Sequence, residues 1–318
     1  MITGQDGILN KAMVAKENTN SAAEVEKIEL AVMPEVIHKE IYEISEVEMQ
    51  NALKDYTVSK IGTDVFKVIN NNEKVYYINS DGKVIDQEKT ATLENLQIGD
   101  IVEYYTKEGR YIPASNKTGI VEEQVFETRN GKIKCIVLDK DESGNIRIIP
   151  MNSAGKVTFA GWYGWDASKT VLNNISALYH NEDYSIGSIS AGGNENYEID
   201  AEALKNIYDM GYRSIVTKCR WMTCGNGQKI VNKDESKLKD DSDSVWIAYR
   251  YYNSSSDKMF IKQYEVERDL IDERLYDGTW NVIYMNEKGY IPIITLKNDI
   301  KVYGVGTENN PYNFIPAN

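Results

Sequence analysis

A chain of 318 residues with 42% hydrophobic and 27% charged residues has the usage of globular protein and room for two domains, which excludes a disordered arm and a mini-protein that needs staples. Its net charge of -13 repels phosphate backbones and anionic headgroups, so binding to nucleic acid or to a membrane surface through charge is excluded as a first reading. Three cysteines, Cys135, Cys219 and Cys224, match no zinc spacing and build no disulfide framework; a Cys219 to Cys224 bridge and two idle thiols both fit, the idle thiols better.

In chain order, the Ala, Glu and Lys content of residues 12–30 predicts a long helix, about 45 Å from Thr3 to Met33. Its partial apolar stripe is Met13, Val25, Ile28, Ala31 and Val32. Pro34 lacks an amide hydrogen, so a kink or break is expected there before Val36, Ile37, Ile41 and Ile44. Ser45 with Glu48 forms a capping-box pattern that opens a short helix from Glu46 to Asp55. The period then changes to alternation in "VFKVI", "KVYYI" and "KVIDQ", three antiparallel strands with turns at Asn70 to Asn72 and Ser80 to Gly82. The first domain expected is therefore 1–96, a long helix packed on an antiparallel sheet.

The second expected domain, 97–318, is mixed α+β with antiparallel strands. It opens with "LQIGDIVEYY" and a polar loop from Thr106 to Thr118, then the strand pair "KIKCIVLD" and "NIRIIPM" around a turn at Lys140 to Gly144. Helices are expected from Ala167 to His180 and from Ala201 to Met210, closed by Gly211, with a loop from Gly187 to Asn196 between them. "SVWIAYRYY", "KMFIKQYEV", "TWNVIYM" and "YIPIITLK" then alternate as a second antiparallel sheet. No apolar run reaches 18 residues, so the sequence as given spans no membrane.

Residues Ile2 to Leu30, "ITGQDGILNKAMVAKENTNSAAEVEKIEL", resemble the stretch after the membrane helix in type IV pilin-like and pseudopilin-like proteins of clostridia and related Firmicutes. "TGQDGILNKA" is the specific part, and a "YYINSDGKV" hairpin at Val75 to Val84 extends the likeness to about residue 96. The resemblance implies a cell-surface or extracellular protein, a removed hydrophobic segment ahead of Ile2 as its only contact with membrane, and other pilin-like subunits as partners through the helix. A second likeness lies in "GYIPIITLKNDIKVYGVGTENNPYNF", "SVWIAYRYY" and "GWDASKTVLNNISALY", which resemble segments of domains attached to such stems. It implies a C-type-lectin-like or formylglycine-enzyme-like scaffold that presents a binding surface for glycan, host protein or a sister subunit. Ile291 stands where that ending has Arg, which takes away a pocket organised by that side chain.

The chemistry-bearing residues are few. Trp162, Tyr163 and Trp165 could stack on a sugar ring from a loop at Gly161 to Trp165, though aromatics also cluster in ordinary cores. Asp139, Asp141, Ser143, Gly144 and Asn145 match the first half of a calcium loop, but its twelfth position is Pro150, so a hairpin turn is the better reading. Asp240, Asp241 and Asp243 are a calcium candidate against the default of a solvated acidic run. Cys219 and Cys224 flanking "RWMT" give a cysteine-dependent enzyme as the catalytic alternative. "SAGGN" around Gly192 reads as a flexible loop, and His38 and His180 each read as a helix residue without acid-base or metal duty. The expectation is a non-catalytic, cofactor-free surface protein that assembles through its helix, with a membrane-tethered ligand-binding module as its rival.

Overall fold

Ala, Glu, Lys and Leu cost little to hold in a helix, and in the computed structural model the first element, α1, runs unbroken over Gln5–His38, 34 residues or about 51 Å. The structure describes residues 5–79, 81–85, 87–113, 124–151, 154–159, 161–194, 197–210, 244–253, 258–265, 270–276 and 286–317. Of the kink or break expected at Pro34, the break does not occur. Pro34 forfeits one helix hydrogen bond, but Val36 beyond it packs against the core and keeps the last turn in register. The fold is α+β; its larger sheets are built from antiparallel pairs, apart from the parallel contact of β13 with β16 described below, and a single parallel bridge joins Val102 and Tyr312.

The chain divides into two compact units, residues 1–91 with 315–318 and residues 92–314. In the first, Ser45 accepts a bond from the Glu48 amide while the Glu48 carboxylate reaches back to the Ser45 amide at 2.9 Å, closing the capping box of α2 (Glu46–Ala52). Four strands follow, β1 (Thr57–Lys60), β2 (Phe66–Ile69), β3 (Val75–Ile78) and β4 (Val84–Ile85), in the order β1-β2-β3-β4. Strand β1 is one more than the alternation predicts. Only Val58 of its "TVSK" is buried, so it carries no readable pattern.

Ile28 and Val32 of α1 are fully buried in one cluster with Ile41, Ile44, Met49, Leu53, Phe66, Val68, Tyr76 and Ile78. Removing the Met49 side chain to Ala should cost about 2–5 kcal/mol, as a fully buried methionine leaves a void that neighbours fill only in part. Polar bonds reinforce the contact: Tyr56 Oη donates to Glu24 at 2.8 Å, Lys74 Nζ to Ser21 at 2.8 Å and Lys83 Nζ to Glu29 at 3.2 Å.

Both outer strands of this sheet have backbone amides turned to side chains rather than to a further strand. Val58 N donates to Gln50 Oε1 at 3.1 Å and Lys60 N to Glu46 Oε2 at 2.9 Å along β1, and Val84 N donates to Glu29 Oε1 at 3.0 Å on β4. Gln50 completes the arrangement by donating Nε2 to Tyr56 O at 2.7 Å. Helix α2 is thus sewn to β1 by a single glutamine and glutamate.

After β5 (Thr90–Thr92), the second unit contains β6 (Ile101–Thr106), the ribbon β7 (Gly109–Tyr111) with β8 (Phe126–Thr128), and the hairpin β9 (Gly131–Lys140) with β10 (Ile146–Pro150). Next come β11 (Lys156–Phe159), α3 (Gly161–Ala177), β12 (Ser185–Ser190) and α4 (Tyr197–Asp209). The last elements are β13 (Ser244–Asn253), β14 (Lys258–Glu265), β15 (Leu270–Tyr276), β16 (Asn286–Gly289), β17 (Pro292–Leu296), β18 (Lys301–Tyr303) and β19 (Asn313–Ile315).

One five-stranded sheet has the order β12-β17-β10-β9-β6 and another β11-β16-β13-β14-β15, with β13 and β16 parallel. This corrects the expectation that "YIPIITLK" closes a sheet with "SVWIAYRYY". Its strand, β17, instead pairs with β10 and β12, where Ile293, Ile294 and Leu296 are fully buried. Ala201, Ala203, Leu204 and Ile207 of α4 share a core with Ile101, Ile136, Leu138 and Ile149 of that sheet. "TWNVIYM" falls outside the described residues.

Candidate functional site

The aromatic candidates stand on a helix. Trp162, Tyr163 and Trp165 lie in the first turns of α3, which starts at Gly161, so the loop expected there is replaced by helical backbone. Asp240, Asp241 and Asp243, together with Cys219 and Cys224, lie outside the described residues. Among the described residues no group of three or more His, Cys, Asp or Glu is placed to hold a metal ion. Cys135 on β9 is fully buried, and burial pushes its thiol well above the ordinary range, which leaves it without thiolate at neutral pH.

The half calcium loop is a hairpin turn whose carboxylate is already used. Asp141 Oδ1 accepts from Ser143 N at 2.9 Å and Asn145 N at 2.8 Å, and Oδ2 accepts from Asn145 Nδ2 at 2.8 Å. Gly144, at φ +80°, takes the left-handed position of the turn. Burial raises the Asp141 carboxyl, but the Asn145 and Ser143 donors outweigh it and hold it below its ordinary value. Replacing Asp141 by Ala removes these bonds from a turn that water can reach and should lower stability by about 0.5–1.5 kcal/mol, measured by urea denaturation.

Asp139 of the expected calcium loop belongs instead to a buried charge cluster with Arg147 and Asp200, two residues that sequence reasoning passed over. Arg147 on β10 donates Nε to Asp139 Oδ1 at 2.6 Å, a second nitrogen meets Asp139 Oδ2 at 2.5 Å, and Nη1 lies 2.9 Å from Asp200 Oδ1. Asp200 in turn accepts the Gly192 amide at 2.6 Å. The "SAGGN" segment is therefore pinned, with Gly193 N also donating to Ser190 O at 2.8 Å, rather than the flexible loop expected. Burial works against the guanidinium charge, yet Asp139 and Asp200 outweigh it and hold Arg147 above its ordinary value. A cation in the middle of "NIRIIPM" is the one signal that would have exposed the cluster, since a buried cation needs counter-charges.

His180 lies beyond α3, not in it, and its Nδ1 is 2.9 Å from Ser185 Oγ. A serine and histidine at that separation invite a nucleophile and base reading. The surroundings argue for a structural knot instead. Ser185 is buried, and its hydroxyl is shared with Tyr104 Oη at 2.9 Å, Asn181 O at 3.0 Å and Asn181 N at 3.1 Å. Tyr104 Oη, also buried, donates to Tyr179 O at 2.9 Å, so the group fixes the corner between α3 and β12.

His38 is the last residue of α1 and, with Val36, Ile37, Lys39, Glu40, Glu43 and Asp81, borders an open cleft of about 420 Å³. The cleft is lined mainly by charged groups and presents no nucleophile beside a base. The apolar feature of this region is the outer face of α1. Leu30, Met33 and Ile37 are 62%, 41% and 66% exposed and follow one another at spacings of three and four. At about 100° per residue they lie nearly opposite the buried Ile28 and Val32, so α1 has apolar character on two faces.

No family model matches the chain, and no curated protein and no solved structure does either. No helix among the described residues is long and apolar enough to cross a membrane.

Proposed function

We propose that this chain is a non-catalytic, pilin-like surface protein in which α1 packs against helices of other copies and the second unit presents a binding surface. The observation that carries the reading is the second apolar face of α1. A helix that only covered its own sheet would gain from charge at positions 30, 33 and 37, whereas Leu, Met and Ile there favour a further layer of protein. In this reading the first unit is a helix on a sheet, and attachment to membrane or filament belongs to the N-terminal end of α1. The second unit follows the lectin-like or formylglycine-enzyme-like likeness, with residues 161–165 at the start of α3 as part of its contact surface.

The test is electron microscopy of the natural gene product in its own host, labelled with antibody against the second unit. Labelled filaments are expected, and the Leu30→Glu, Ile37→Glu double variant should abolish them while circular dichroism of the purified chain stays unchanged, because both side chains are mostly solvent-exposed. Label spread over the envelope of well-expressing cells with no filament would overturn assembly in favour of a tethered binding module.

A further inference from the structure

Three neighbouring segments of the second unit bring a lysine, an asparagine and a glutamate together. Strand β9 pairs with β6 so that Lys132 lies opposite Tyr105 and Lys134 opposite Glu103. On the other side of β6 the chain at Tyr312 runs parallel to it, with Glu103 N donating to Tyr312 O at 2.7 Å and Tyr312 N to Ile101 O at 2.9 Å. Alternation puts Lys132, Glu103 and Asn313 on one face of these three segments. Lys132 Nζ sits 3.2 Å from Glu103 Oε2 and 2.8 Å from Asn313 Oδ1. The lysine and glutamate side chains are only 22% and 25% exposed.

The asparagine is oriented as well as near. Its Nδ2 donates to Pro311 O at 3.3 Å, which turns the carbonyl end of the amide toward the lysine. An amine, the carbonyl it could attack and a carboxylate in contact with that amine are the three parts of an intramolecular transamidation, held at separations where reaction is favoured by proximity. This geometry is independent of the role proposed for α1.

We propose that Lys132 and Asn313 join spontaneously as an amide, with Glu103 as the catalytic residue that moves the protons. Glu103 takes one proton from the Lys132 ammonium, and the freed lone pair attacks Asn313 Cγ. Glu103 then returns its proton to the side-chain nitrogen of Asn313, and the Cγ–Nδ2 bond breaks. Ammonia departs and takes up the remaining proton of the former ammonium, leaving as ammonium ion. The balance is one lysine ammonium and one primary amide converted to one secondary amide and one ammonium ion, with no oxidant or cofactor required. The bond would tie β9 to the C-terminal strand across β6, between residues 181 apart in sequence.

Intact mass spectrometry of the purified full chain, followed by proteolysis and sequencing of the fragments, tests the proposal. A chain lighter than its sequence by one ammonia, with a branched peptide joining Lys132 to Asn313, is expected. The Asn313→Asp variant should reach the same product by losing water, and the Glu103→Gln variant should keep its full mass with an unchanged circular dichroism spectrum. A wild-type chain of full mass with both residues in separate linear peptides overturns the proposal and leaves an ordinary ion pair. So does loss of ammonia without the branched peptide, which would mark cyclisation of an asparagine elsewhere. Loss of ammonia in Glu103→Gln at the wild-type rate overturns the role given to Glu103.

Discussion

Arg147→Ala should destabilise the second unit by about 3–5 kcal/mol, among the largest effects of a single substitution in this protein. The reason is what it leaves behind. Asp139 and Asp200 would remain on the sheet and on α4 with no counter-charge, and the Asp200 side chain is only 2% exposed. The cost is therefore that of an uncompensated buried charge more than that of a lost attraction. Urea denaturation of the variant checks it, and a control sharpens the cause. Replacing Arg147 with Met together with Asp139→Ala and Asp200→Ala should cost no more than the single change, because no charge then stays buried alone. If the triple variant is much the weaker of the two, attraction rather than desolvation dominates the cluster.

Gly304→Ala should cost roughly 3 kcal/mol or more, for a backbone reason. Gly304 has φ +121°, a region open almost only to glycine, and a Cβ there would stand 2.3 Å from the backbone oxygen of Pro311. Neither atom can move without displacing the segment that runs beside β6. Gly187→Ala is the matched control, since a Cβ there meets nothing within 4 Å and its φ is ordinary, so it should stay close to wild type. Thermal unfolding of the two variants side by side separates local strain from the general loss of a glycine.

A pH effect is expected in the first unit. Bonds from Lys39 and from Ser45 lower the Glu48 carboxyl to about 2 from an ordinary 4.5. The folded value is the depressed one, so the stabilisation is whole above 4.5 and fades as pH falls through about 2. The advantage of wild type over Glu48→Gln in denaturation midpoint should shrink across that window and stay constant from pH 5 to 8. The pair lies at the surface, with the Lys39 and Glu48 side chains 42% and 37% exposed, so high salt should reduce the same advantage.

Local patterns were legible in the sequence where one short-range rule dominates. Ser45 and Glu48 announced the start of α2 because the capping box lies within four residues, and the alternation of "VFKVI" and "KVYYI" matched strands with one buried face. The hairpin at Asp141 was legible for the same reason, as its bonds close within the turn. Pro34 does not end α1, because one missing bond weighs less than the packing of Val36 beyond it. Strand order was not legible, since Ile293 and Ile294 look equally suited to any apolar sheet and only the whole topology assigns β17 to β10 and β12.

The candidate sites show the same limit. Arg147 and Asp200 are distant in the chain, as are Lys132 and Asn313, and neither pairing leaves a spacing to read. His180 reads as a helix residue in the sequence because nothing in "ISALYH" marks the end of α3 at Ala177. The Gly-containing "SAGGN" looked loose because the carboxylate that holds it comes from the following helix.

The amides of β1 and β4 that are engaged by Gln50, Glu46 and Glu29 have a consequence for how copies of this protein could meet. A sheet whose borders are sealed by its own side chains offers no template for a visiting strand, so growth by edge-to-edge stacking, the route to amyloid, is blocked in the first unit. Loosening that seal with Gln50→Ala and Glu46→Ala would open the opposite fate, trading a chain that stays discrete for one prone to fibrous aggregation.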